Sequence, residues 1–359
     1  MAGAPIDRIP LYTIVLPALG LAAFLGIGKV GLGPLAIVLA VLLLGSVMAA
    51  VHHAEVVALR VGEPYGTIVL ALAVTIIETG LIVSTMLSGG DNPTLLRDTT
   101  QAVVMLVLHG LAGLAIVVGA LRHRETEFRV EGASALLAVL IPMSVLVLIL
   151  PNHLVSVPGP YYSGLQLGFV SAACLALYGA FLFIQTNWHR GYFLPVGADD
   201  ATPHARPSGR IAQASRGLLV LSLLAVVLLA KGLAPALEAA VAAAGAPPAI
   251  VGVIIAAIVL LPEAAAAIRT AARNQLQASI NLSLGSGVAS IGLTVPAVAF
   301  VAYRIGQPLE LGVPTGESVL MGLGFLVAVI TYGTGRTNLL SGVVHLVLLA
   351  TFVFTIFAP

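Results

Sequence analysis

The chain has 359 residues, of which 59% are hydrophobic and only 9% are charged. Ordinary soluble domains carry about 25% charged residues, so the composition argues against a soluble enzyme, a nucleic-acid-binding protein and a disordered chain. A polytopic membrane protein is the class that remains. The formal net charge of +1 indicates no charged partner, and the single cysteine, Cys174, cannot form an intrachain disulfide.

Apolar runs separated by charges or by glycine and proline predict eleven membrane-spanning helices, each of which needs about 20 residues. The first run is expected to be a retained helix, because no small-residue cleavage site follows it. A polar stretch rich in Pro, Gly, Asp and Arg, 187–216, is predicted to be a loop between two hydrophobic blocks. In chain order, the predicted spans cover residues 11–27, 34–54, 65–88, 99–121, 133–151, 163–186, 217–236, 247–270, 276–303, 317–334 and 339–357.

The basic residues predict how these spans are oriented. With eleven spans the loops alternate between two sides, and of the 16 lysines and arginines only Lys29, Arg97, Lys231 and Arg304 fall on the side opposite the N-terminus. The positive-inside rule therefore predicts a cytoplasmic N-terminus and a cytoplasmic 187–216 loop. The C-terminus is then expected on the periplasmic or extracellular side of a bacterial inner membrane.

An internal repeat is predicted from the same count. Five spans lie on each side of the polar loop after the first helix, and an odd number inverts the second block relative to the first, a common plan of secondary transporters. Segments 73–78 and 258–263 each end in a glutamate inside an apolar run, and a later span opens with Gln-Ala in both blocks. The predicted organisation is an extra N-terminal helix in 1–30, a first five-helix repeat in 31–186, a cytoplasmic linker in 187–216 and a second five-helix repeat in 217–359.

Two of the 15 acidic residues, Glu78 and Glu263, lie well inside apolar runs, whereas the others can be assigned to loops or span ends. Ionisable groups in hydrocarbon are costly and are candidate functional groups by default. Such a glutamate can hold a proton and release it when a cation arrives, which is the chemistry of a cation/proton exchanger. The alternative is a protonated glutamate that joins two helices by a hydrogen bond.

The neighbours of Glu78 suit a cation. Thr75, Glu78 and Thr79 share one helix face by their i, i+3 and i+4 spacing, and hard cations prefer such oxygen ligands. Each threonine also has an alternative role, because its hydroxyl can bond back to the carbonyl four residues earlier.

The span after Glu263 carries a stripe of small polar residues. Its serines recur at spacings of four, three and four residues, which either lets helices pack closely or supplies oxygens to a cation. Asn281 is a mid-span amide that needs partners when buried. Pro262 frees a backbone carbonyl one turn earlier, and broken helices are typical of transporter ion sites. The stripe consists of Ser279, Ser283, Ser286 and Ser290.

Histidines form two further groups. His109 and His345 lie inside predicted spans, where they either relay protons or join helices by hydrogen bonds. His52, His53 and Glu55 cluster at a predicted span end, as a cytoplasmic cation-access or regulatory site or as a solvated membrane boundary. Their spacing is not that of a metal site.

Several motifs carry a family resemblance. They are HHAE at 52–55, VGEPYGTIVLALAVTIIE at 61–78, LPE at 261–263, NLSLGSGVASIGLTVP at 281–296, and GRTN followed by GVVH between 335 and 345. Together they closely resemble the bacterial ChaA-type calcium/proton (sodium/proton) antiporters of the calcium/cation antiporter superfamily. The resemblance implies an all-α membrane fold of about eleven helices, two inverted five-helix repeats plus the extra N-terminal helix, with α-repeat motifs near 66–114 and 252–296.

The resemblance also implies a site. Acidic residues of the two α-repeats bind the cation and protons in that superfamily, and by position these are Glu78 and Glu263. Asn281 and Ser286 match the polar second helix of the repeat. Many vacuolar calcium/proton exchangers have Gly-Asn-Ala before the glutamate, and its absence here removes amide ligands.

The sequence therefore predicts a secondary antiporter that exports Ca²⁺ in exchange for H⁺ and needs no cofactor. No metalloprotease, P-loop or nucleophile-elbow motif is present. The alternatives are a mainly Na⁺/H⁺ or K⁺/H⁺ antiporter on the same fold, a cation channel and a membrane-embedded enzyme. The expected partners are inorganic cations, protons and the lipid bilayer, with no nucleic acid; a homo-oligomer is left open.

Overall fold

The computed structural model describes residues 8–30, 35–62, 65–87, 92–194 and 207–358. These residues form eleven helices and one two-stranded ribbon. The helices are α1 (Tyr12–Val30), α2 (Leu35–Val61), α3 (Tyr65–Leu87), α4 (Leu95–His123), α5 (Val130–His153), α6 (Gly164–Trp188), α7 (Gly209–Ala243), α8 (Ala249–Ala271), α9 (Leu276–Ile305), α10 (Thr315–Tyr332) and α11 (Leu339–Phe357).

The predicted all-helical membrane fold is confirmed. Ten of the described helices, α2 to α11, are long and apolar enough to cross a membrane, and α1 contains a shorter apolar stretch, Tyr12–Gly26. Most helices begin and end within a few residues of the predicted spans. Polar caps set several of these ends: Ser163 and Gln166 form a capping box at the start of α6, and Asn338 caps α11.

The predicted linker is shorter than expected. α7 begins at Gly209, eight residues before the predicted start of the span at 217, because the Ser208 side chain accepts a hydrogen bond from the amide of Ile211 and caps the helix. At the other end, Arg190–Phe193 forms a short 3₁₀ turn after α6. The remainder of the predicted loop, 195–206, lies outside the described residues.

The chain divides into two compact units. The first comprises residues 1–92 and 201–248, and the second comprises residues 93–200 and 249–359. Helices α1, α2, α3 and α7 therefore belong to the first unit, and the other seven belong to the second. Each predicted five-helix half contributes helices to both units.

In the first unit, α7 packs along α2, and α1 and α3 pack against both of them. Glycines allow this close packing. A Cβ atom on Gly45 of α2 would lie 2.5 Å from the side chain of Leu16, and one on Gly80 of α3 would lie 2.7 Å from that of Val227 on α7.

In the second unit, α4 is the most deeply buried of the candidate spans and contacts α8, α9, α10 and α11. Its segment Leu106–Leu111 is π-helical, and the single-turn widening of an α-helix in this way is frequent at functional sites. A second π-helical segment, Ser290–Thr294, interrupts α9.

The ends of α4 and α10 are joined by backbone hydrogen bonds. After both helices, Thr126–Glu127 (β1) pairs with Arg336–Thr337 (β2) as an antiparallel ribbon in which Thr126 lies opposite Thr337. Before both helices, the amide of Glu310 donates to the carbonyl of Pro93 at 3.0 Å.

Replacing Gly252 tests the packing of α4 on α8. A Cβ atom there would lie 2.7 Å from the backbone nitrogen of Thr99, so Gly252→Ala must push the two helices apart. We expect a loss of about 1–3 kcal/mol of stability, as for other overpacked interiors. Gly322→Ala is the control, because nothing lies within 4 Å of its Cβ position. Thermal unfolding in detergent measures both variants, and equal melting temperatures would contradict this description of the contact.

Candidate cation site

In the first unit, the predicted ligands around Glu78 lie on one face of α3. Glu78 is 1% exposed and Thr75 is 9% exposed, while Ile76 points outward. The Thr75 hydroxyl donates to the carbonyl of Ala71 at 2.8 Å, which is the alternative role foreseen for it. The Thr79 hydroxyl is buried and has no hydrogen-bond partner among the described residues. Both oxygens keep lone pairs for a cation, because donating the hydroxyl hydrogen does not use them, and Thr79 is the one with no other contact to give up.

In the second unit, Glu263 lies midway along α8, and α9 returns alongside it. Ser279 on α9 donates to the carbonyl of Ala267 at 2.7 Å. Ser283 is one turn further along α9, and Glu263 is one turn earlier on α8. Because the two helices form an antiparallel hairpin, Ser283 is level with Glu263.

The serine stripe has mixed roles. Ser279 joins α9 to α8, through the Ala267 carbonyl and the Thr270 hydroxyl, so this position serves packing. Ser283 is fully buried, and its hydroxyl has no hydrogen-bond partner within the described part of the chain. Ser286 lies half-buried one turn beyond it. Ser283 therefore offers a buried hydroxyl oxygen on this stripe that the described contacts leave available.

Asn281 is held in a backbone-anchoring network. Its amide nitrogen donates to the carbonyl of Phe193 at 2.5 Å, and its amide oxygen accepts from Gln277 at 2.9 Å. Gln277 in turn accepts from the backbone nitrogen of Arg129 at 2.6 Å. The sequence correctly predicts that this amide needs partners, and the partners connect α9 to the ends of α5 and α6.

His52 and His53 lie within α2, which continues to Val61 instead of ending at 54. The expectation of a solvated boundary is wrong for His53, which is fully buried with Nδ1 3.2 Å from the hydroxyl of Ser215 and Nε2 3.4 Å from the carbonyl of Thr13. Glu55 is exposed. In the described ranges, no group of three or more His, Cys, Asp or Glu side chains is placed to hold a metal ion.

A third buried carboxylate escaped the sequence analysis. Asp98 is 6% exposed in the first turn of α4. Arg97 bridges it to Glu310, with nitrogen–oxygen distances of 2.8 and 2.5 Å, and Glu317 at the start of α10 lies near both Arg97 and Asp98. The only sequence signal was the adjacent Arg-Asp pair before an apolar run, which is equally typical of a solvated span end.

His109 and His345 meet in the interior of the second unit. Both are fully buried, and their Nδ1 atoms lie 2.8 Å apart. His109 lies in the π-helical segment of α4 and His345 lies on α11. The sequence placed both inside spans but gave no sign that they form a pair, because they are 236 positions apart.

The chain is similar to known membrane transporters over nearly its whole length. The sodium/calcium exchanger protein family matches residues 32–187 and 215–358. The chain belongs to this family. It is thus a member of the calcium/cation antiporter superfamily, a secondary cation antiporter and not an enzyme, which confirms the family resemblance of its motifs.

Individual relatives agree with this membership. The chain is 44% identical to "Putative ionic transporter y4hA" of Sinorhizobium fredii, over 96% of this chain and 93% of the relative. It is 34% identical to sodium-potassium/proton antiporter ChaA of Escherichia coli, over 88% of this chain and 87% of the relative. The structure of native YfkE covers 97% of this chain and 100% of its own, with a TM-score of 0.73 at 19% identity, and so shares the fold.

Arg97 is expected to stabilise the second unit through its two carboxylates. Arg97→Gln leaves Asp98 and Glu310 without their cation in a largely buried place, and we expect a loss of up to about 3 kcal/mol. The control is Arg336→Gln, because the pair of Arg336 with Glu127 is 69% and 55% exposed and such pairs contribute about 0–1 kcal/mol. Thermal unfolding in detergent compares them; an Arg97→Gln variant as stable as Arg336→Gln would refute the assignment.

Proposed function

We propose that the protein is a cation/proton antiporter that exports Ca²⁺, and that Glu78 and Glu263 bind the cation or protons in turn. The observation that carries this proposal is that each compact unit has a glutamate within a predominantly apolar span, on α3 and on α8. A carboxylate in hydrocarbon is stable only when it holds a proton or a cation. Binding of the cation therefore excludes binding of protons at the same carboxylate, and this exclusion couples the flow of the cation to the flow of protons.

The charges of the exchanged ions balance the charge of the two carboxylates of Glu78 and Glu263. Two carboxylates neutralise one Ca²⁺ or take up two protons, so an exchange of one for two leaves the buried charge unchanged. A Ca²⁺ ion also needs several oxygen ligands besides carboxylates. Within the first unit, the hydroxyls of Thr79 and Thr75 are the proposed oxygen ligands beside Glu78. Within the second unit, the side chains of Ser283, Ser286 and Asn281 are the proposed ligands that accompany Glu263.

The transport cycle follows from this exclusion. On the cytoplasmic side, Ca²⁺ displaces the protons of Glu78 and Glu263. The loaded protein then exposes these groups to the other side, where the cation leaves and protons return. Since no half-cycle leaves both carboxylates ionised and empty, the gradient of protons drives the cation outward. With the basic residues concentrated on the side of the N-terminus, that side and the 187–216 segment face the cytoplasm of a bacterial inner membrane.

Sodium or potassium is the second candidate cargo. The relative from Escherichia coli is named a sodium-potassium/proton antiporter and is 34% identical to this chain. The residues before the two glutamates favour the same alternative, because Ile76 and Ile77, and likewise Leu261 and Pro262, offer no side-chain oxygen to a divalent ion.

Neutral replacements of the two glutamates test the site. Glu78→Gln and Glu263→Gln keep the shape and remove the exchangeable proton and the charge. We expect each to lower cation-dependent dissipation of a pH gradient in everted vesicles at least about tenfold, because a lost interaction with a charged group is worth about 1.5–3 kcal/mol. Glu125→Gln, on an exposed turn, is the matched control. Full exchange by both the Glu78→Gln and Glu263→Gln variants would disprove the mechanism.

The cargo is decided by ion-resolved transport in proteoliposomes. With CaCl₂, NaCl and KCl compared across pH, we expect the Ca²⁺-dependent proton flux to be the largest at equal concentration. A flux that responds to Na⁺ or K⁺ and not to Ca²⁺ supports the second candidate. Cation flux that needs no proton gradient and moves no protons would instead identify a channel.

A further inference from the structure

The buried histidine pair has an unusual hydrogen-bond balance. The two Nδ1 atoms, 2.8 Å apart, share one proton, and Nε2 of His345 lies 3.1 Å from the hydroxyl of Thr331 on α10. Nε2 of His109 is buried and has no hydrogen-bond partner among the described residues. Three of the four ring nitrogens are therefore in hydrogen bonds, and Nε2 of His109 is not.

This balance fixes where a proton can be added. Two neutral imidazoles carry two N–H groups between them. One lies between the Nδ1 atoms and the other is donated by His345 to Thr331, since placing it on His109 Nε2 would bury a donor without an acceptor. The unpartnered nitrogen therefore has a free lone pair, the atom at which an imidazole binds a proton.

The surroundings preserve this lone pair. A Cβ atom on Gly324 of α10 would lie only 2.5 Å from Nε2 of His109, so glycine at this position leaves the nitrogen uncovered. His109 itself lies in the π-helical segment of α4. Ionisable groups beside the pair on the described helices include Tyr332 on α10, whose ring centroid is 5.9 Å from that of His345.

A further ionisable group is Glu263 on α8, a helix that contacts the π-helical segment of α4. α4 and α8 run in the same direction and touch at both ends, where Gly252 meets Asp98 and where Arg122 and His123 reach the carbonyl of Ala272. His109 follows Asp98 by the same 11 residues by which Glu263 follows Gly252. Because both helices rise by about 1.5 Å per residue, the two side chains lie within about one helical turn of the same level.

We propose that His109 and His345 together bind one of the exchanged protons, and that the proton is taken up and released at Nε2 of His109. This inference rests on the proposed antiport. In the loaded form, a new N–H bond at Nε2 makes the pair a cation that is shared through the Nδ1–Nδ1 hydrogen bond, and His345 still donates to Thr331. The new N–H has no acceptor among the described residues, so the loaded form is the less stable one and gives up its proton readily. A cation held by Glu263 on the neighbouring helix α8 repels the charge of the loaded pair, so cation binding expels the proton.

The test counts protons. Purified protein in weakly buffered detergent is mixed with CaCl₂, or with NaCl, and released protons are measured with a pH dye alongside cation binding. We expect His109→Gln and His345→Gln to bind the cation but release about one proton fewer per cation than the wild type. Their exchange in proteoliposomes should fall at least about tenfold and lose one step of its pH profile. His153→Gln, at the exposed last residue of α5, is the matched control.

Two milder variants separate this role from packing. Thr331→Val removes the acceptor of His345 at nearly constant volume, and Gly324→Ala crowds Nε2 of His109; both should shift the pH profile of exchange. Variants that only unfold more easily, with the proton count and pH profile of the wild type, would overturn the inference and leave the antiport intact. A wild-type protein that binds the cation without releasing protons would overturn the proposed function, and the inference with it.

Discussion

The cost of leaving a polar group unsatisfied in a lipid-facing protein governs this structure. Backbone groups meet the requirement by forming helices almost throughout. Polar side chains meet the requirement by contacts with one another or with the backbone. Arg97 bridges Asp98 and Glu310, and Asn281 donates a hydrogen bond to the carbonyl of Phe193. Against this background the few polar atoms that keep no partner stand apart, among them the hydroxyls of Thr79 and Ser283 and one nitrogen of His109.

The positions of the helices were predictable because hydropathy is a local property of the sequence. Apolar runs long enough to cross a membrane are interrupted only where charge, glycine and proline cluster, and α2 to α11 follow those runs. The errors fall where a helix continues into polar sequence: α2 runs beyond 54 and α7 begins at Gly209. There a cap or a tertiary contact, and not hydropathy, decides the end of the helix.

The candidate site was predictable only in part. Glu78 and Glu263 were found because a carboxylate inside an apolar run is conspicuous in a chain with so little charge. The partners of Arg97, Asn281 and His109 lie far away in the chain, more than 80 positions apart in each of the contacts to Glu310, Phe193 and His345. No spacing rule along one helix reports such contacts. They follow from which helices pack together, and a single sequence does not specify this.

The backbone bonds between α4 and α10 have a mechanical consequence. The ribbon of Thr126 and Thr337 holds the two helices at one end, and the Glu310–Pro93 bond holds the segments that lead into them at the other. Because α4 and α10 are linked at both ends, we expect them to move together in any rearrangement of the second unit. The spacing between His109 and Gly324 would then stay nearly constant while the other helices move.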